Sequence, residues 1–404
     1  MGTYGIMSMD SEIRCDYDKL RKDRLAKTRT AMKKMGIGSL LLFEQDHIRY
    51  ITSTKIGEWN HTIRNRYVLL CEGHDPILFE NGSAIAAKRL LSPFQKDIRP
   101  AGGNFRGVMD PRCGAIERAC QEIYDILKEW NLQDAPLGID DPFFAWVKAL
   151  QDLGLKLVDG HQCMLQAQRQ KTEEEIYLTE MAAACVDAGF YEVLQATRPG
   201  VREIELAAIM RSTCLKLGCE NVMNAQVTSG NRGFPHPHDV TDRFLRPGDI
   251  VFMDVVADFM GYKTCYYRTF CCGKPTENQK FVYGKCYDIV QKSIDMAHAG
   301  VEAKDFLPLY PKATEIGYAT EEEGFLLQMI HGIGITHWAK PLIAPGYSEH
   351  FSEPLLENEI VAFENYYAKD GDAARIELEG VIRKDHTDVI THFPSDRLMH
   401  SWDW

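Results

Sequence analysis

The sequence predicts an α/β amino-terminal domain, residues 1–165, followed by an α+β domain, residues 166–404, in which helices cover an antiparallel sheet. Three observations lead there. A length of 404 residues exceeds one ordinary core and points to two domains. Helix-like and strand-like segments alternate through the first part, the signature of an α/β layer. From Asn221 onward long apolar strands dominate, introduced by two helices.

"KLRKDRLAKTRTAMKKMG" reads as a basic amphipathic helix closed by Gly36. "SLLLFE", "IRYIT", "YVLLCEG" and "PILFE" are short apolar runs between turn-forming stretches and are expected as strands. "AIERACQEIYDILKEWNL" predicts a helix, "PLGID" a strand, "FFAWVKALQDLG" a helix and "LKLVDG" a strand. Thr172 is placed to cap a long helix whose first turn carries Glu173, Glu174 and Glu175, where the helix dipole favours negative charge. Pro199-Gly200 ends it, and Glu203 begins the next. "NAQVTSG", "DIVFMDVVA" and "TCYYRTFCCG" follow as strands, then helices near 276–299 and 303–317, then the strands "EIVAFENYYA" and "ARIELEGVIRK". No internal repeat or low-complexity linker interrupts this order.

Composition excludes several classes. Lys and Arg total 46 against 58 Asp and Glu, a net charge of −12, and no basic block stands out, so a phosphate-binding nucleic-acid surface is not expected. No apolar run approaches the length of a membrane span. The start has no apolar core of a signal peptide, and Ile6 stands where myristoylation after Gly2 would want Ser or Thr. Twelve scattered cysteines without a repeated C-x-x-C framework suit a reducing compartment. The expectation is a cytoplasmic protein that acts on a small molecule or peptide.

The chemistry-bearing residues of the second half sit in or beside apolar strands. Asp254 in "VFMDVV", Glu364 in "VAFENYY" and Glu377 in "ARIELEG" are carboxylates that are costly to bury without a partner. His331 in "MIHGIGITHW" is followed by Gly332 and Gly334, which allow a close approach of backbone or substrate. One such carboxylate is ordinarily a salt-bridge residue, and one such histidine a satisfied core residue. Four together form a pocket that suits a divalent metal or a cationic substrate equally. Cys265 alone reads as a small apolar packing residue.

In order and local wording, these segments resemble the pita-bread family of creatinase, prolidase, aminopeptidase P and methionine aminopeptidase. The family's five metal ligands run Asp, Asp, His, Glu, Glu, the first two in a "D…GY-x-S-D-x-T-R-T" pattern. "DVVADFMGYKTCYYRTF" keeps Asp254, Gly261, Tyr262, Arg268 and Thr269 but has Cys265 for the second Asp. "HGIG" supplies His331, "EIVAFENYY" supplies Glu364, and "ARIELEG" supplies Glu377, with Glu379 as the other register. "KTEEEIYLTEMAAACVDAGF" and "RPGVREIELA" resemble the entry into the family's catalytic domain. The resemblance covers residues 166–395 well and the amino-terminal domain loosely.

That resemblance implies a metal set of Asp254, Cys265, His331, Glu364 and Glu377. It also implies a departure, because a thiol does not bridge two hard ions as a carboxylate does, although it suits one softer ion such as zinc. The expected cofactor is therefore none or a single divalent metal. Creatinase, in the same fold, lacks the metal. Its loop "HNPVTNR…PGDI" is echoed by "PHPHDVTDRFLRPGDI", which puts an acid–base histidine at His236 or His238. "HIRYITSTKIGEWNHTIRNRYVLL" and "VITHFP" are similar to the dimethylsulfoniopropionate lyase branch. That branch carries its base six residues after the "HG" histidine, which is His337 here. Val255 and Val256 stand where that branch would supply a further acidic ligand.

The leading expectation is a homodimeric, creatinase-like hydrolase that cleaves a C–N bond in a small cationic metabolite without a complete dinuclear centre. His236, His238, His331 and His337 would serve catalysis. Glu364 and Glu377 would grip the cation, and Arg268 would be structural or bind a substrate carboxylate. The alternatives are a metal-dependent Xaa-Pro peptidase, a C–S lyase and an inactive pita-bread binding protein.

Overall fold

The computed structural model describes residues 15–55, 65–103, 105, 107–234 and 238–401. They form two compact units, one of Tyr17–Gln168 and one that takes in Arg169 onward. The fold class is the expected one, an α/β unit and an α+β pita-bread unit.

In the first unit the order is α1 (Tyr17–Met35), β1 (Ser39–Leu42), α2 (Gln45–Thr52), β2 (Tyr67–Cys71), β3 (Ile77–Glu80), α3 (Ile85–Leu91), β4 (Asp97–Pro100), α4 (Ala115–Glu129), β5 (Leu137–Ile139), α5 (Phe144–Asp152), β6 (Leu157–Asp159) and α6 (Gly160–Gln168). The sheet runs β4-β3-β2-β1-β5-β6. Every residue of β1, β2 and β3 is buried, which is why these strands read as continuous apolar runs. Leu41, Tyr67, Leu69 and Phe79 pack with Ile123 and Trp146 from the helices. "IRYIT", expected as a strand, lies in α2 instead. Ile48 and Ile51 are buried at helical spacing, and Ser53 closes the helix in the left-handed region at φ 54°.

The second unit contains α7 (Glu173–Ala196), α8 (Glu203–Lys216), β7 (Asn221–Ser229), β8 (Asp249–Phe259), β9 (Tyr262–Cys272), α9 (Glu277–Met296), β10 (Met329–Gly332), β11 (Ala339–Ile343), β12 (Ile360–Lys369), β13 (Asp372–Ile382), β14 (Thr387–Val389) and β15 (Met399–His400). Two sheets form, β15-β9-β8-β7 and β11-β10-β12-β13-β14. All their pairings are antiparallel except that of β15 with β9. Thr172 caps α7 in a full capping box with Glu175. Val186, Phe190 and Met210 from α7 and α8 pack on Val227, Met253 and Tyr266 of the first sheet. Val282, Cys286 and Val290 of α9 cover Phe363 and Ile376 of the second.

The helix expected near 303–317 is two short 3-10 segments, Ala303–Leu309 and Ala313–Ile316. Pro308 and Pro311 remove the backbone donors that an α-helix would need there. The two sheets join along β9 and β13. Thr269 donates its hydroxyl to the Arg375 carbonyl at 2.6 Å, and Arg268 donates to the Glu377 carbonyl at 2.6 Å. All twelve cysteines are free. Among the described residues no helix is long and apolar enough to cross a membrane.

Candidate active site

Four strands of the second unit bring the sequence candidates together. Alternation along β8 and β9 turns Asp254, Val256, Cys265 and Tyr267 to one face, where they line a cavity of about 1130 Å³. Glu364 comes from β12 and His331 from β10. A register shift between His331 and Gly332 aims the imidazole, and a Cβ at Gly332 would fall 2.0 Å from the Lys340 carbonyl oxygen. Only glycine permits that approach.

Cys265, His331 and Glu377 converge, with one ligand atom from each within 4.8 Å of the others. His331 Nδ1 lies 3.1 Å from the Gly332 carbonyl, to which it can only donate. Neutral imidazole then has a lone pair at Nε2. That atom stands 3.4 Å from Glu377 Oε1, and neither makes a hydrogen bond. Two buried acceptors face each other, an arrangement that calls for a proton or a cation between them. Glu377 Oε2 lies 4.0 Å from the Cys265 thiol.

The other carboxyls tell the same story. Asp254 accepts from the Asn224 amide at 2.8 Å through Oδ2, while its Oδ1 has no partner. Burial pushes its pKa up to about 7, against the pull of Arg375 and His331. Glu364 accepts from the Tyr267 hydroxyl, and burial followed by Glu377 pushes it up to about 8. Burial, then Asp254 and Glu379, holds Glu377 well above the carboxyl range. The Cys265 thiol is driven well above its ordinary value by burial and by Glu377.

Among the histidines, His337 lies beside His331, ring centres 6.0 Å apart, and burial lowers its pKa to about 3. Its Nε2 is buried without a partner. His238 lines the cavity from an exposed position, and desolvation followed by Arg375 lowers its pKa. His236 lies outside the described residues. Aromatic walls come from Phe234, Tyr267, Tyr318, Phe325 and Trp338.

Arg268, expected to be structural or to bind a substrate carboxylate, is not among the residues that line the cavity. It is fully buried, donates to the carbonyls of Tyr267, Glu377 and Phe393, and lies 4.7 Å from the centre of the Tyr266 ring. Glu379 is the wrong register for the cluster. It accepts from the Thr264 hydroxyl and the Cys265 amide, each at 2.6 Å. Sequence reasoning also missed Tyr267, Asn224 and Arg375. Period-2 spacing from Cys265 marks Tyr267. Arg375, buried 3.9 Å from the Phe252 ring centre, was signalled by a cation inside an apolar strand.

The model of metallopeptidase family M24 matches residues 178–392, more than half of the chain. An Xaa-Pro dipeptidase of Pyrococcus furiosus is 27% identical over 199 residues, 48% of this chain and 54% of that protein. A dimethylsulfoniopropionate lyase of Roseobacter denitrificans is 22% identical over 409 residues, 95% of this chain and 88% of that protein. The chain spans between about half and two thirds of the length of the peptidase relatives it matches. The solved Xaa-Pro dipeptidase from Bacillus anthracis superposes with a TM-score of 0.76 at 22% identity, over 94% of this chain and 99% of that one, a likeness of fold.

Proposed function

The chain belongs to metallopeptidase family M24, and from that premise we propose that it hydrolyses a C–N bond in a small, positively charged substrate at a centre that takes one divalent ion at most. The observation that carries the reading is the pair of facing acceptors, His331 Nε2 and Glu377 Oε1, beside a cavity lined by His331, Asp254 and Glu364. Buried acceptors without donors favour a cation, whether metal or substrate.

The donor set suits one ion rather than two. Cys265, His331 and Glu377 are a thiol, an imidazole and a carboxylate, the mixture that a borderline-soft ion such as zinc accepts. The second bridging carboxylate of the family pattern is missing. An ion held there would supply Lewis acidity toward the scissile group.

The chain's own residues carry the rest. Asp254 and Glu364, which line the cavity, hold a guanidinium or quaternary ammonium by charge, with Glu377 buried behind them, and Tyr267 and Trp338 add cation–π attraction. His238, neutral near pH 7, takes a proton from the attacking water, and His236, two positions earlier in the sequence, is the other candidate. The leaving nitrogen of a guanidino substrate needs a proton, and His238 returns to it the one taken from the water. His331 and His337 line the floor. The expected assembly is a homodimer, read out by sedimentation of the purified chain.

A second reading, an Xaa-Pro dipeptidase, is supported by the Pyrococcus furiosus relative. Its amide is also a C–N bond. The experiment supplies guanidino compounds, betaines, sulfonium compounds and Xaa-Pro dipeptides in heavy-oxygen water and follows products by mass spectrometry. Hydrolysis puts one heavy oxygen into a product of a guanidino or betaine substrate. Thioether release from a sulfonium compound, with no label gained, would mean elimination and defeat the proposal.

A further inference from the structure

Cys265 is one of two departures on the same strand face. The family pattern has Thr two residues after its second Asp, and here that position is Tyr267. Both residues line the cavity, and Tyr267 stands directly across from Asp254 in the β8–β9 register. The Tyr267 side chain is buried, and its hydroxyl donates to Glu364 Oε1. Besides burial, the groups that press on this phenol are, in order, Glu364, Asp254, Glu377 and Cys265. The phenol oxygen therefore sits among four of the five residues that the family pattern would give to metal.

A threonine hydroxyl stays close to its backbone. A tyrosine carries its oxygen several ångströms farther and fills the intervening space with a ring. An O–H donor and a cation compete for the same carboxylate lone pairs. The hydroxyl satisfies Glu364 without the positive charge that a metal would bring. Glu364 is thereby drawn into a hydrogen bond, and the compact cluster is left with Cys265, His331 and Glu377.

We propose that Tyr267 stands in for a second metal ion: its hydroxyl takes up the Glu364 oxygen that such an ion would need, so this chain has lost the dinuclear centre through two coupled substitutions rather than through Cys265 alone. The proposal deepens the one-ion reading above and rests on it for the ligand set. Restoring the acid at 265 returns a bridging carboxylate but no room. Opening position 267 returns the room but no bridge.

The test is elemental analysis of the full chain after incubation with manganese(II) or zinc(II) and exhaustive dialysis, with circular dichroism to verify the fold. Wild type, Cys265→Asp and Tyr267→Thr should each retain about one ion per chain or fewer, and the double variant should rise to about two. If the Thr double variant does not fold, Tyr267→Ala in the Cys265→Asp background replaces it with the same expectation. Two ions in wild type or in Cys265→Asp alone would overturn the proposal, as would a folded double variant that stays at one. Failure of the hydrolysis reading is distinguishable. It would appear as missing heavy-oxygen product in the wild-type assay, whatever the ion count of the variants.

Discussion

His331 donates Nδ1–H to the Gly332 carbonyl, and that bond makes Nε2 an acceptor facing the Glu377 carboxylate. Where Glu377 is ionised, an amide at 377 would supply the missing donor, so at alkaline pH Glu377→Gln should raise the stability of the metal-stripped protein by about 1–3 kcal/mol, the scale of satisfying a buried polar group. It should also weaken ion retention and lower turnover by on the order of 100-fold. Denaturant titration beside an activity assay checks both; a destabilised, fully active variant would contradict this account. Arg268→Ala behaves differently, since that guanidinium holds three carbonyls: a loss of about 2–4 kcal/mol is expected, with no selective change in KM. Asp254, His331, Glu364 and Glu377 were legible in the sequence because carboxylates and an imidazole interrupt apolar strands. For Arg268 the sequence offered a structural role or a substrate carboxylate, and strand alternation turns it away from the face of Cys265 and Tyr267. The Tyr267–Glu364 bond joins residues far apart in sequence, and only the meeting of the two sheets reveals it.

At the scale of elements, the cap at Thr172 was readable from the Thr and three following glutamates, and the structure adds its reciprocal bond with Glu175. Thr172→Ala should cost about 1 kcal/mol in denaturant unfolding, with catalysis unaffected at saturating substrate. An unchanged midpoint would show that the cap contributes nothing. The long strands β8, β9, β12 and β13 were equally plain, because their apolar runs are longer than turn punctuation allows for anything else. The errors fall on short segments. Eight residues with apolar content fit strand or helix alike, and α2 became a helix because its buried residues recur at helical spacing. Prolines decided the 303–317 stretch against a continuous helix.

For the molecule as a whole, buried carboxyls tie stability to pH. Asp254 rises from 3.8 to about 7, and Glu364 and Glu379 from 4.5 to about 8. Between the unfolded and folded values the native state binds more protons than the unfolded chain, so its stability falls as pH rises through that window. The metal-stripped protein should lose thermal stability from about pH 4.5 to about pH 8, and an added cation should flatten the slope. The central claim is that this acidic pocket is built for a cation carried by the substrate. Its most direct test is the thermal shift of metal-stripped protein across creatine, betaines, sulfonium compounds and Xaa-Pro dipeptides, since a ligand that binds only the folded state raises its melting temperature. Guanidino or quaternary-ammonium compounds should raise it without added metal. A shift with dipeptides only, and only after metal is restored, would contradict the account.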